Sequence, residues 1–184
     1  MITVKPLCPE LFCDYIDFFE NRAFTDNKEW AGCYCMHHHR SKDIDEQIDK
    51  MQVEFDGNRA KALKEMAKQL LEKGTIGGFL AYENDKAIGF CNANDSKNYY
   101  RLYGGIVSNE NEKVMSIVCI TVDPTCRRKG IATRLINATC ENAREKGYSI
   151  VEAYGVPKEL FLKSGFEEAV LCDDKIAIRK FVQK

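Results

Sequence analysis

Residues 114–147, VMSIVCITVDPTCRRKGIATRLINATCENAREKG, constrain the fold more than any other stretch. An apolar, β-branched run with Val114, Met115, Ile117, Val118, Ile120 and Val122 stops at Asp123-Pro124. Proline lacks the N–H that a central ladder needs, so the strand ends there. Arg127, Arg128, Lys129 and Gly130 follow, and then Ala132, Leu135, Ile136, Thr139, Cys140 and Ala143 recur at helical spacing. Gly147 closes that helix as its C′ residue. A buried strand thus enters a basic, glycine-containing loop at a helix start. Unpaired backbone N–H groups, the positive end of a helix dipole and extra cationic charge converge on one point. Such a place suits an anion, above all a phosphate.

The basic turn is a local feature, because 27 Lys and Arg face 28 Asp and Glu and the net charge is −1. No global field favours nucleic acid or an anionic membrane, and neither is an expected partner. No apolar run reaches the roughly 18–20 residues of a membrane span. The start, MITVKPLCPELFCDY, lacks the pattern of a signal peptide. Nine cysteines are an odd number, and Cys8, Cys13, Cys91, Cys119, Cys140 and Cys172 sit mostly among apolar neighbours. Free thiols in a reducing cytoplasm are therefore expected. With 184 residues the chain reads as one domain, 1–184.

Taken in order, MITVKPL predicts a first strand and 10–24 a helix carrying Leu11, Tyr15, Phe18 and Phe19 on one side. Residues 30–40, WAGCYCMHHHR, have the most unusual local composition. Ile44, Ile48 and Met51 suggest a short helix, and 59–73 an amphipathic one ended by Gly74. Segments 77–84 and 86–95 form a hairpin joined at Asn84-Asp85, and 96–113 reads as a surface loop. Residues 148–156 are strand-like, and Pro157 opens a short helix. A closing hairpin turns at Asp173-Asp174. This order predicts an α/β domain with a mixed sheet.

The run from strand through Asp-Pro to Arg127-x-x-Gly130-x-Ala132 and helix resembles the GNAT superfamily of N-acetyltransferases, whose pyrophosphate loop reads Gln/Arg-x-x-Gly-x-Gly/Ala. The KSGF turn at 163–166 resembles the family's helix–Gly-Phe–strand step, and the element order agrees over nearly the whole chain. Cys33-x-Cys35-Met36 looks like an element of a poorly characterised GNAT subgroup. The resemblance implies a mostly antiparallel central sheet flanked by helices, with a helical N-terminal region. It implies acetyl-CoA as cosubstrate and direct transfer of the acetyl group to an amine of a small molecule or peptide.

Position by position, Ile120, Thr121 and Val122 match the strand end that pairs with the pantetheine amides. Arg127, Arg128, Lys129, Gly130, Ile131, Ala132 and Thr133 match the phosphate-holding loop and helix start. Gly130 lets backbone approach phosphate closely, and the three cations can pair with phosphates. A P-loop would need Gly-x-x-x-x-Gly-Lys-Ser/Thr and a dinucleotide fold an early Gly-x-Gly-x-x-Gly before a helix; the chain has neither.

Acceptor chemistry is less legible. The family's usual acid is a tyrosine four residues before the Gly of the Gly-Phe step; here that position is Phe161, which can pack against pantetheine but donate no proton. Tyr154 is the nearest replacement, and Glu152, on the same strand face, is the candidate base. Cys119 reads as a buried, inert thiol. The resemblance places 30–40 over the acceptor pocket, with Trp30, Tyr34, Cys35, Met36 and His37 as candidate lining and His37 a second candidate base. No second Cys pair completes a zinc ribbon around Cys33, Cys35 and His37–His39, so no metal is expected. A catalytically weak acyl-CoA sensor remains the alternative, and a homodimer is left open.

Overall fold

The helical face of 131–145 and the apolar run of 114–122 fix the centre of the molecule. The computed structural model describes residues 1–100, 112–154, 157–170 and 176–182, with the side chains of 170, 176 and 177 left aside. In chain order the elements are β1 (Ile2–Pro6), α1 (Phe12–Asn21), α2 (Lys42–Glu54), α3 (Arg59–Glu72), β2 (Gly78–Glu83), β3 (Lys86–Asp95), β4 (Val114–Val122), α4 (Ile131–Glu145), β5 (Ile150–Ala153), α5 (Lys158–Leu162), β6 (Glu167–Val170) and β7 (Ile176–Phe181). The sheet order is β1-β2-β3-β4-β5-β7-β6. Neighbours are antiparallel except β4 and β5, which run parallel. This is the mixed sheet that the element order predicts, mostly antiparallel and flanked by helices as the resemblance implies.

Local chemistry sets the boundaries. Ser41 and Asn58 cap α2 and α3 by accepting from Ile44 N–H (3.2 Å) and Lys61 N–H (3.1 Å). Asn84 and Asp85 both take positive φ, 51° and 61°, as a two-residue hairpin turn demands. Asp123 stops β4 as expected: its carboxylate accepts from Thr125 N–H at 2.9 Å and starts the Pro124–Cys126 turn. β5 is shorter than the strand-like sequence 148–156. Tyr148 N–H is taken by Ala143 O at the end of α4 (2.9 Å), and residues 155 and 156 lie outside the described ones, as do most of the 96–113 loop and Asp173-Asp174.

Two apolar layers cover the sheet. On one face Ile131, Leu135, Ile136, Cys140 and Ala143 of α4 pack on Ala81, Cys91, Met115, Ile117 and Val151. The buried stripe of α4 begins at Ile131 rather than at half-buried Ala132, because Gly89 on β3 leaves room for the isoleucine methyl. On the other face α1 and α3 bring Tyr15, Phe18, Phe19, Met66 and Leu70 onto Leu80 and Phe90. Burying side chains of this size contributes on the order of 1.5–3 kcal/mol each relative to exposure.

The register carries one irregularity that matters for the site. Asn92 faces Cys119 and Ala93 faces Ile117, so β4 holds one extra residue, Val118, against β3. Pairing with β5 covers only Val114–Ile117 against Ile150–Ala153. Beyond Tyr154 N–H on Ile117 O (3.2 Å), no described residue on the β5 side pairs with 118–122. The described pairing of the two parallel strands ends there.

One glycine in this sheet should tolerate no replacement. Gly78 has φ +127°, and a Cβ there would lie 1.9 Å from Cys91 O and 2.9 Å from Ala93 N. Gly78→Ala is expected to lose roughly 4 kcal/mol or more, since strand backbone must give way on both counts. Denaturant titration of the variant measures this loss directly.

Candidate active site

The loop between β4 and α4 is built as an anion cradle. Arg128 and Gly130 both adopt left-handed backbone, φ 66° and 75°, which turns the chain sharply into α4. The helical ladder starts with Arg134 N–H on Gly130 O (3.1 Å), so the N–H groups of Ile131, Ala132 and Thr133 lack an intrahelical acceptor. Gly130, the N-cap, has no side chain to cap them, and a Cβ built on it meets nothing within 4 Å. Three unpaired donors at the positive end of a 15-residue helix suit a phosphate group.

The cations beside it already hold carboxylates. Arg127 forms a two-armed pair with Asp26, Nη1 to Oδ2 at 2.5 Å and Nη2 to Oδ1 at 3.3 Å. Lys129 lies 3.4 Å from Glu83. All these groups are substantially exposed, so each pair contributes at most about 1 kcal/mol and can open for a better anion.

On the sheet face opposite α4, β4, β5 and β7 align Ser116, Glu152 and Arg179 side by side. Glu152 is 1% exposed; its Oε1 accepts from Arg179 Nη2 at 2.8 Å. Glu152 Oε2, Ser116 Oγ and Arg179 Nε are buried without a partner. Burial raises the Glu152 carboxyl above its ordinary range, and Arg179 only partly offsets this. A buried carboxylate with one free oxygen is chemically a proton acceptor. Tyr154, two residues on, is buried where the described pairing of β4 and β5 ends.

The 30–40 segment folds onto the same face in short turns, with consecutive positive φ at Tyr34 (42°) and Cys35 (46°). Tyr15 Oη donates to Tyr34 O (2.5 Å), and Asn92 Nδ2 donates to Cys35 O (3.2 Å). Cys35 Sγ then lies 3.0 Å from Cys119 Sγ on β4, and Cys119 is 3.4 Å from Thr121 Oγ1. The other candidate lining residues are dispersed. Tyr34 turns into the helical core with its hydroxyl on Glu20 (3.0 Å), Trp30 lies exposed against Phe24, and exposed His37 meets only the edge of His38 among recorded ring contacts. Phe161 is wholly buried, edge-on to Phe166 at 5.1 Å.

His39 is held through both ring nitrogens. Its Nδ1 donates to Asn98 O (3.2 Å), leaving Nε2 to accept from Asn92 Nδ2 (3.0 Å), while Tyr99 Oη donates to Asn92 Oδ1 (2.9 Å). Burial pushes the ring from 6.5 down to about 4, so it is neutral near pH 7. An unfolded chain binds a proton at His39 below 6.5 and the folded one only near 4. The stability held by the neutral ring is therefore present above pH 6.5 and lost as pH falls toward 4, by about 3 kcal/mol in all. Denaturant titrations from pH 7.5 to 4.5 should show that loss, reduced in His39→Gln.

The sequence model of the acetyltransferase (GNAT) family matches residues 46–166, well over half of the chain. The chain belongs to that family. An uncharacterised N-acetyltransferase of Methanocaldococcus jannaschii is 35% identical over 108 residues, which are 55% of this chain and 43% of that protein. The chain thus spans under half the length of this curated relative. Among solved GNAT folds, the PaiA N-acetyltransferase of Thermoplasma acidophilum in complex with coenzyme A superposes with TM-score 0.52 at 15% identity, covering 98% of this chain and 99% of that one. An aminoglycoside N-acetyltransferase in complex with CoA gives 0.56 at 17% identity, covering 92% and 90%. At these identities the two structures bear on the fold: this chain has the GNAT architecture.

Three residues absent from the sequence expectations stand beside the candidate ones, Asp26, Asn92 and Arg179, and His39 had entered them only among candidate metal ligands. Strand alternation, which puts Arg179 on the face opposite Ile178 in KIAIRKFV, is the one signal that could have pointed to its partner.

Proposed function

We propose that the chain is an acetyl-CoA-dependent N-acyltransferase that passes an acetyl group directly to an amine of a small molecule or peptide, acting as one domain in the cytoplasm. The observation that carries this reading is the first turn of α4, whose Ile131, Ala132 and Thr133 N–H groups lack an intrahelical acceptor at the end of the sheet where the described pairing of β4 with β5 stops. In this reading the thioester lies along β4 there, and Ile120, Thr121 and Val122 pair with the pantetheine amides. Arg127, Arg128, Lys129 and the N–H groups through Thr133 hold the phosphates. Glu152 Oε2 takes the proton of the attacking amine, backbone N–H groups of β4 steady the oxyanion, and Tyr154 returns a proton to the departing thiolate. The amine enters from the side of the 30–40 segment.

Titration calorimetry with acetyl-CoA, followed by detection of free CoA thiol across amino acids, polyamines, aminoglycosides and short peptides, tests the proposal. Binding and thiol release are expected; absence of acetyl-CoA binding at high micromolar concentration would sink it. A second reading, an acyl-CoA sensor with little turnover, is favoured by Phe161, which is packed in the core where the family's tyrosine would stand. Binding without thiol release on any amine of the panel selects that reading. No helix among the described residues is long and apolar enough to cross a membrane.

A further inference from the structure

Three thiols converge on the face of the sheet opposite α4. Cys33 and Cys35 come from a turn closed by Met36 N–H on Cys33 O (2.9 Å), and Cys119 from β4. Cys35 is buried, while Cys33 and Cys119 are half-buried. The Cys35–Cys119 sulfur separation of 3.0 Å is about 1 Å beyond a disulfide bond. The backbone around Cys35 is held to the core by Tyr15 and Asn92, so this approach is built in rather than incidental. Cys33 is the other thiol beside Cys35, whereas Cys91 faces the Thr139 hydroxyl at 3.7 Å and Cys126 that of Thr125 at 3.7 Å.

We infer that Cys35 and Cys119 form a reversible disulfide when the protein meets a hydroperoxide, and that this bond fastens the 30–40 segment to β4. Within the pair, Cys35 Sγ donates to Cys119 Sγ, which favours a thiolate at half-buried Cys119 over buried Cys35, and Cys119 is taken as the sulfur that meets the peroxide. The Cys119 thiolate attacks one peroxide oxygen; the O–O bond breaks, and the departing alkoxide takes a proton to leave as alcohol, or as water from hydrogen peroxide. Cys119 is then a sulfenic acid. The Cys35 thiol attacks that sulfur, the S–O bond breaks, and hydroxide leaves with the Cys35 proton as water. Two thiols and one hydroperoxide thus give one disulfide, one alcohol and one water.

The position gives the bond a consequence that rests on the proposed function. Cys119 immediately precedes Ile120, so the disulfide joins the acceptor-side segment to the donor-binding edge. Closure holds the two in one arrangement and halts turnover until a thiol reductant opens it.

Peptide mapping of the whole protein tests the bond without any activity assay. Reduced protein is treated with one to five equivalents of hydrogen peroxide, alkylated and digested with trypsin without reduction. Cys33 and Cys35 lie in tryptic peptide 29–40, Cys119 and Cys126 in 114–127. A cross-link between these two peptides is expected. It should persist in Cys33→Ser and Cys126→Ser, vanish in Cys35→Ser and Cys119→Ser, and be reversed by dithiothreitol. The wild-type thermal midpoint should rise on oxidation. A bond confined to peptide 29–40, a cross-link surviving Cys119→Ser, or sulfinic acid at Cys119 without cross-link would each overturn the inference. If the cross-link forms in a protein that never releases CoA thiol, the redox site stands and the catalytic reading falls.

Discussion

Gly130→Val should lose acetyl-CoA binding by on the order of 100-fold while the protein stays folded. The two effects separate because of where the added atoms would go. A Cβ at 130 meets no protein atom within 4 Å, so the fold bears only the left-handed conformation, φ 75°, at about 1–2 kcal/mol. Residue 130 is the N-cap, next to the unpaired N–H groups of Ile131, Ala132 and Thr133, so a branched side chain there is expected to crowd an anion bound to them. Loss of two hydrogen bonds to a charged oxygen, at roughly 1.5–3 kcal/mol each, corresponds to 100-fold or more in affinity. Gly130→Ala should fall between. Calorimetry with acetyl-CoA, alongside a thermal melt of each variant, gives both numbers. Undiminished binding by a folded Gly130→Val protein would move the phosphate site elsewhere.

Glu152→Gln should cut kcat/KM by roughly 100-fold or more, the usual contribution of a positioned base. Its amide keeps the shape and an acceptor for Arg179 but cannot take a proton. Glu152→Ala should in addition destabilise by about 3 kcal/mol, since it leaves the part-buried Arg179 guanidinium without its counter-charge. The pH dependence has a definite sign. Burial raises the Glu152 carboxyl, so the folded state favours its protonated form. The stability from that preference is present below the ordinary carboxylate range and is lost as pH rises through the raised value. Activity moves the opposite way, because the base must be ionised. A rising limb of kcat/KM above the usual carboxylate range in wild type, absent from the residual activity of Glu152→Gln, is the expected profile. An unchanged limb would assign the base to another group.

What the sequence discloses, and what it conceals, follows from the distance over which each feature is encoded. The strand–turn–helix step from β4 to α4 was legible because Asp123, Gly130 and the face of α4 are written within one short stretch. The hairpin turn at Asn84-Asp85 was legible for the same reason. Partners were not. Arg179 meets Glu152 across 27 residues, Cys35 meets Cys119 across 84 and Arg127 meets Asp26 across 101, each through sheet register or loop packing that no local pattern specifies. The three histidines make the point within a single turn. His37 is exposed and His39 fully buried, because a tight 3₁₀ turn at Met36 points identical side chains in different directions. Phe161 shows the reverse. Its place in the helix was readable, but its burial against Phe166 depends on β7 and α4 closing around it.

Val118 looks like one more apolar residue in β4, yet it works as a phase shift. Met115 and Ile117 point toward α4, and so do Ile120 and Val122, an odd step later. The strand is therefore two alternating runs half a period out of step, joined at the extra residue. Had the strand stayed in phase, Cys119 and Thr121 would have pointed into the α4 layer and Ile120 and Val122 toward the 30–40 segment. The same composition would then have given the same sheet with grease where the thiol and hydroxyl now stand. The polarity of the acceptor side is thus a matter of counting as much as of residue type.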